Sequence, residues 1–182
     1  MNKNSKRLEK LFKQYANDNN HLPFLFQALE ITKGDVFELG MGHGSTPYLF
    51  EYCIRNKRVL NSYETNPDWA DKFRGDNFKY SEFHINLISP LGWDVAVDGI
   101  MDAEDGVILV DHAPGETRGD VLEQLKDFDG IVIAHDTEPG QADAGYGMRK
   151  MFTHYKYVLD FKTDGAWATV MSNKYDVTQF TV

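Results

Sequence analysis

The chain has 182 residues, a formal net charge of −9, 42% hydrophobic residues and 26% charged residues. These values predict a single globular domain with a full core. The acidic balance argues against nucleic acid as a partner, because proteins usually hold it with a basic stripe. The lone cysteine, Cys53, excludes an intramolecular disulfide and fits a reducing, cytoplasmic compartment. The sequence has neither an apolar run long enough for a membrane helix nor the apolar core of a secretion signal, so we expect no membrane partner and no secretion.

Two helices are predicted ahead of the first strand. Apolar residues recur at helical spacing within residues 4–17, and a second such stripe begins near Pro23 and ends at Gly34. Residues 1–33 are therefore expected to pack on a sheet edge or to form a lid.

Strands and helices then alternate through residues 34–172. The strands are predicted at 35–39, 58–64, 78–85, 106–111, 130–134, 156–161 and 166–172, and the helices at 46–56, 68–73, 93–97, 121–128 and 148–155. Residues 140–147 are expected to be flexible, and residues 173–182 form a tail. The last two strands meet around Asp164–Gly165, a hairpin signal. This order predicts a Rossmann-like α/β fold: a doubly wound, mostly parallel seven-stranded sheet with a C-terminal antiparallel hairpin and helices on both faces.

A glycine-rich loop follows the first predicted strand. Gly40, Gly42 and Gly44 alternate, and Ser45 and Thr46 then open a helix, with Thr46 expected as the N-cap. Glycines let a ligand approach the backbone, and the free N–H groups of the next helix point at that ligand. The loop is therefore a candidate binding site, although a purely structural turn is the alternative.

Two carboxylates flank this loop. Glu38 precedes it and would lie near a bound amino group, whereas Glu64 ends the second predicted strand, where a carboxylate can accept both hydroxyls of a ribose. A dinucleotide and S-adenosylmethionine both suit such a layout. Ser45 stands where a dinucleotide loop has Gly or Ala, and Glu38 would repel a pyrophosphate. The layout thus favours the cationic S-adenosylmethionine.

The run from Glu38 to Gly44 resembles the first motif of the class I S-adenosylmethionine-dependent methyltransferases, which reads acid-x-Gly-x-Gly-x-Gly, and Glu64 resembles their second motif. The resemblance spans residues 34–172. It implies S-adenosyl-L-methionine as the cofactor, bound by the loop glycines, Ser45 and the two glutamates. It also places Trp93 where an aromatic ring stacks on adenine, with a core-filling Trp as the equal alternative.

A second constellation follows the fourth and fifth predicted strands. Asp111 and His112 end one strand, and His135 and Asp136 end the next, so all four are expected to face one cleft. Two carboxylates in one cleft either share a proton or bind a cation such as Mg²⁺. The pattern resembles the metal-dependent small-molecule O-methyltransferases of the catechol O-methyltransferase type. That resemblance implies Asp111 and Asp136 as metal ligands, with Asp111 also near the cofactor.

The chain departs from that family at two positions. Thr137 replaces the amide that usually supplies a third ligand, and Pro114 replaces the catalytic Lys. The base is then sought among His112, His135 and Glu116, with Asp111 in support. The alternative is that both aspartates cap helices and both histidines are structural.

These patterns together predict O-methylation of a small polar acceptor molecule, with assistance from Mg²⁺ left open. A non-catalytic S-adenosylmethionine-binding protein is the first alternative, and a nicotinamide-dependent oxidoreductase is a weaker one. The sequence leaves the acceptor and an oligomeric state open.

Overall fold

The computed structural model describes residues 21–162 and 165–181. The helix predicted at 4–17 lies outside these residues, as do two residues of the predicted hairpin turn. The strands are β1 (Val36–Leu39), β2 (Leu60–Glu64), β3 (Phe83–Leu87), β4 (Glu104–Val110), β5 (Asp129–His135), β6 (Tyr157–Phe161) and β7 (Ala168–Ser172). The α-helices are α1 (Leu22–Ile31), α2 (Thr46–Asn56), α3 (Pro67–Ala70), α4 (Trp93–Ile100) and α5 (Arg118–Gln124).

The seven strands form one sheet in the order β3-β2-β1-β4-β5-β7-β6. The first five strands are parallel, and β7 runs antiparallel to both β5 and β6. This confirms the predicted Rossmann-like fold with its C-terminal antiparallel strands. Strand order reverses at β1, which pairs with β2 on one side and β4 on the other. Open α/β sheets bind their ligands at the carboxyl ends of the strands around such a point.

Helices cover both faces of the sheet because the central strands are apolar on both sides. In β4, Ile108 and Val110 join the core under α4 and α5, whereas Val107 and Leu109 join the core under α1 and α2. Such burial on both faces is typical of parallel strands. None of the helices in the described part of the chain is both long and apolar enough to cross a bilayer.

Several predicted boundaries are wrong. The third strand begins at Phe83, because Asp76–Phe78 form a 3₁₀ turn and the Phe78 ring packs on Phe50 with 5.0 Å between centroids. Residues predicted as a helix after position 148 form a 3₁₀ helix, Arg149–His154, and the stretch predicted to be flexible contains a π-helical turn, Gln141–Gly145.

Candidate functional site

Glu38 lies beneath the glycine loop and is fully buried. Its carboxylate accepts hydrogen bonds from the hydroxyls of Ser45 (2.5 Å), Thr46 (2.9 Å) and Ser62 (2.6 Å). Burial raises the pKa of Glu38 to about 7, although these hydroxyl donors favour its ionised form. Through these hydrogen bonds Glu38 links β1 to β2 and to the start of α2. Its contact with a bound amino group stays a prediction.

The same carboxylate explains how α2 begins. The sequence predicted Thr46 as the N-cap, but Thr46 is the first residue of α2. Ser45 holds the N-cap position, and its side chain does not cap the helix. Both hydroxyls point at Glu38 instead. The Thr46 hydroxyl also accepts the N–H of Gly42 at 2.9 Å, which fixes the middle of the loop.

Glu64 lies on the other side of the loop, at the carboxyl end of β2. One oxygen accepts the N–H of Met41 in the loop at 3.1 Å, and the other accepts the N–H groups of Thr65 (2.8 Å) and Asn66 (2.9 Å). Oε1 also lies 3.4 Å from the Thr65 hydroxyl, whereas Oε2 accepts only the Met41 N–H, so one lone pair of Oε2 can still accept a hydroxyl donor. Of the predicted cofactor residues, Glu64 and the loop are thus brought together.

Gly40 has a structural role that is visible in the backbone. It adopts φ +92°, and a Cβ there would lie 2.5 Å from the carbonyl oxygen of Asp111 and 2.6 Å from the Cα of His112. Only glycine fits this close approach between the ends of β1 and β4. At Gly42, by contrast, the nearest atom to an added Cβ would be the Ser45 hydroxyl oxygen at 3.7 Å.

Asp111 and Asp136 lie at the ends of neighbouring strands, as predicted, and the guanidinium of Arg118 bridges them. Its Nη2 is 3.1 Å from Asp111 Oδ1 and its Nη1 is 3.1 Å from Asp136 Oδ2. Arg118 also donates to the backbone carbonyls of His112 (2.8 Å) and His135 (3.2 Å). Asp136 adopts φ +56°, which helps the chain turn at the end of β5.

Tyr146 covers this arginine, with the Arg118 Cζ 4.9 Å from the ring centroid. A Cβ at Gly115 would collide with that ring, so glycine there leaves room for Tyr146. Arg118 is only 6% exposed. The charge of Arg118 is therefore neutralised by the chain's own carboxylates, Asp111 and Asp136.

His135 completes the cluster. Its Nδ1 lies 3.3 Å from Asp111 Oδ1 and 3.4 Å from Asp136 Oδ1. Burial alone would lower the pKa of His135, but the hydrogen bond and charge of Asp111 and the charge of Asp136 raise it above its ordinary value. Burial likewise opposes ionisation of Asp111, yet its contacts with His135 and Arg118 lower the pKa of this carboxyl.

His21, which the sequence did not single out, lies against His135. The ring centroids are 5.0 Å apart in an edge-to-face arrangement, and within the described residues neither His21 nitrogen has a hydrogen-bond partner. Burial and the charge of His135 lower the pKa of His21 to about 4. Its only sequence signal was the position just before α1, and nothing local indicated that α1 starts at the sheet's carboxyl edge.

The second predicted base, His112, is fully buried. Its Nε2 is 3.0 Å from the Thr117 hydroxyl, and its ring packs on Trp93 with 4.0 Å between centroids. Burial and the charge of Arg118 lower the pKa of His112 to about 3. His112 is therefore neutral and packed in the core, which makes it a poorer base than His135.

Trp93 is 3% exposed and lines a cavity of about 150 Å³ between α4 and α5. The structure thus places it in the core, as the alternative interpretation expected. Its contact with adenine stays a prediction.

The donor set does not fit the predicted Mg²⁺ site. Thr137, at the position of the third ligand, is fully buried and its hydroxyl accepts a hydrogen bond from Thr169 at 2.8 Å. One oxygen each of Asp111 and Asp136 meets the fixed guanidinium of Arg118, and Mg²⁺ requires near-octahedral oxygen ligands.

No protein-family model and no curated protein matches the sequence. Solved structures do share the fold. A spermidine synthase from Thermotoga maritima is 17% identical with a TM-score of 0.59, covering 82% of this chain and 57% of that chain. Human methyltransferase-like protein 13 in complex with SAH is 17% identical with a TM-score of 0.58, covering 82% of this chain and 75% of that chain.

The N-methyltransferase NodS from Bradyrhizobium japonicum WM9 is 11% identical with a TM-score of 0.59, covering 86% of this chain and 95% of that chain. The chain spans 58% and 57% of the lengths of the two spermidine synthases that it resembles. At these identities the likeness concerns the fold, and the chain has the Rossmann-like methyltransferase fold that these proteins share.

Proposed function

We propose that the protein transfers the methyl group of S-adenosylmethionine to a hydroxyl oxygen of a small polar molecule. The observation that carries the proposal is the pairing of the glycine loop with Glu64, joined by the Met41 hydrogen bond at the edge where β1 meets β2. The carboxylate of Glu64 can accept hydrogen bonds from the ribose hydroxyls, and the glycine loop leaves room for the rest of the donor. The complex of human methyltransferase-like protein 13 with SAH, on the same fold, supports the assignment.

His135 is the base in this proposal. Its Nδ1 faces the two aspartates, which leaves Nε2 as the ring nitrogen that can accept a proton from the acceptor hydroxyl. The acceptor oxygen then attacks the sulfonium methyl in line, the carbon–sulfur bond breaks and S-adenosylhomocysteine leaves. Positioning and this proton transfer supply the catalysis, and the proposal includes no divalent cation.

Donor binding is expected to depend on Glu64. In Glu64→Gln an N–H₂ group replaces one of the two oxygens, so either the Met41 N–H or the N–H groups of Thr65 and Asn66 lose their acceptor, and the ribose loses a charged acceptor. We expect S-adenosylmethionine affinity to fall by about tenfold to a hundredfold in calorimetric titration. Glu82→Gln, on an exposed residue ahead of β3, should bind like the wild type. A wild-type chain without affinity for S-adenosylmethionine would end the proposal.

Methyl transfer is expected to depend on His135. His135→Asn should lower the rate of S-adenosylhomocysteine formation by about a hundredfold or more, since positioned proton transfer contributes that much. His84→Asn, at an exposed position in β3, is the matched control. His135 must be neutral to act as a base, and its pKa is raised above 6.5. Wild-type activity should therefore rise as the pH increases above 6.5. Rates would be followed with a panel of small hydroxylated acceptors, and unchanged turnover in His135→Asn would remove it as the base.

A non-catalytic donor-binding protein is the second candidate, and the position of His21 favours it. This buried ring lies against His135 with 5.0 Å between the ring centroids, so it limits access to the proposed base. Incubation with S-adenosylmethionine and cell extract distinguishes the two candidates. A pure binding protein would release no S-adenosylhomocysteine.

A further inference from the structure

We propose that the guanidinium of Arg118 takes the place of a divalent cation between Asp111 and Asp136, so that this cluster binds no metal ion. This proposal rests on the proposed function, because the cluster belongs to the same site, and it states that this site requires no metal ion. Cation binding is measured without turnover, however, so it can be tested whether or not methyl transfer is observed.

The contacts of Arg118 are those expected of a resident cation. One guanidinium nitrogen meets each carboxylate at 3.1 Å, on oxygens contributed by two neighbouring strands. Arginine is always charged and presents its donors in a rigid fork, which suits two carboxylates at once. It thus supplies both the neutralising charge and the link between β4 and β5 that a bound metal would otherwise provide.

Arg118 is also fixed in place. Its Nε and Nη1 donate to the carbonyl oxygens of His112 and His135, and the ring of Tyr146 covers its face. A side chain anchored at this many points cannot swing away without leaving buried carbonyls unpaired. A metal ion entering between the aspartates would therefore face a permanent positive charge at close range.

One observation points the other way. Donor atoms of Asp111, His135 and Asp136 lie within 4.8 Å of one another, and the nitrogens of His21 lack a partner among the described residues. That spacing would suit a transition-metal ion if Arg118 were absent. Asp111 Oδ1 and both oxygens of Asp136 already meet Arg118 or the Nδ1 of His135, so a metal that binds these oxygens must displace those contacts.

The test uses Mn²⁺ and Zn²⁺ as probes on the full chain, with Mn²⁺ followed by electron paramagnetic resonance and Zn²⁺ by calorimetry. Wild type is expected to show no saturable binding of either ion. Arg118→Met removes the charge while keeping a long side chain, and should bind Mn²⁺ about a hundredfold more tightly, since a unit charge at contact distance is lost. Arg149→Met, which breaks a pair with Asp160 at 3.0 Å, is the matched control and should gain nothing.

Micromolar binding of Mn²⁺ or Zn²⁺ to wild type, lost in Asp111→Asn, would overturn the proposal. So would a folded Arg118→Met without gained affinity. If Arg118→Met does not fold, the wild-type titration and Arg118→Lys decide: a lysine keeps the charge, so both must remain without bound metal. S-Adenosylmethionine titrations of the same samples test the proposed function separately, because donor binding and cation binding can each fail alone.

Discussion

Gly40→Ala is expected to destabilise the protein by at least about 3 kcal/mol, enough to unfold a protein of ordinary stability. The added methyl would lie 2.5 Å from the Asp111 carbonyl oxygen, and the residue would have to keep φ +92°. Both atoms in its way belong to the backbone, so no side-chain rotation relieves the clash. Relief requires the ends of β1 and β4 to separate, which also disturbs Asp111. Urea denaturation followed by circular dichroism measures the loss.

Gly42→Ala is the matched control, because it makes the same chemical change in the same loop. Its Cβ would meet only the Ser45 hydroxyl oxygen, at the ordinary contact distance of 3.7 Å. Stability should therefore stay within about 1 kcal/mol of wild type. If the donor approaches the backbone here, Gly42→Ala should still bind S-adenosylmethionine more weakly. Equal stability of the two variants would show that the close approach at Gly40 is not required.

The sheet could be predicted because the sequence signals for its strands and turns each lie within a few adjacent residues. The apolar run of β4, the glycine loop after β1 and the turn signals between strands each occupy a few adjacent residues. Carboxyl ends of parallel strands lie at one edge by topology alone, which is why Asp111 and Asp136 were placed together correctly. The boundaries that failed, such as the start of β3, depended on where Phe78 packs in three dimensions.

The chemistry of the site was less predictable, because it depends on contacts between distant segments. Arg118 reaches both aspartates only because the chain turns back after β4 and starts α5 beside β5. His21 reaches His135 only because α1 begins at the same edge. Ser62 pairs in register with Glu38 across two parallel strands, and a serine within a strand carries little signal by itself. Residue types therefore indicated which groups to consider, but not which charges neutralise one another.

We expect Glu38 to contribute measurably to the pH dependence of folding. The pKa of Glu38 is raised to about 7 in the folded protein from its ordinary 4.5, mainly by burial. Between these two pH values the folded protein retains a proton that the unfolded chain has released. Stability must then fall as pH rises through this interval and level off above it, by about 3 kcal/mol in total. Glu38→Gln cannot titrate, and its amide can still pair with the hydroxyls of Ser45, Thr46 and Ser62.

The difference between the unfolding free energies of wild type and Glu38→Gln, measured from pH 4.5 to 8, isolates this effect. His21 and His112 have lowered pKa values and contribute the opposite slope, but they titrate in both proteins and cancel in the difference. Wild type should therefore lose stability relative to Glu38→Gln as pH rises, while the exposed Glu82→Gln should follow wild type throughout. A difference that does not change with pH would mean that Glu38 is ionised at little cost. The hydroxyls of Ser45, Thr46 and Ser62 would then stabilise the carboxylate as well as water does in the unfolded chain.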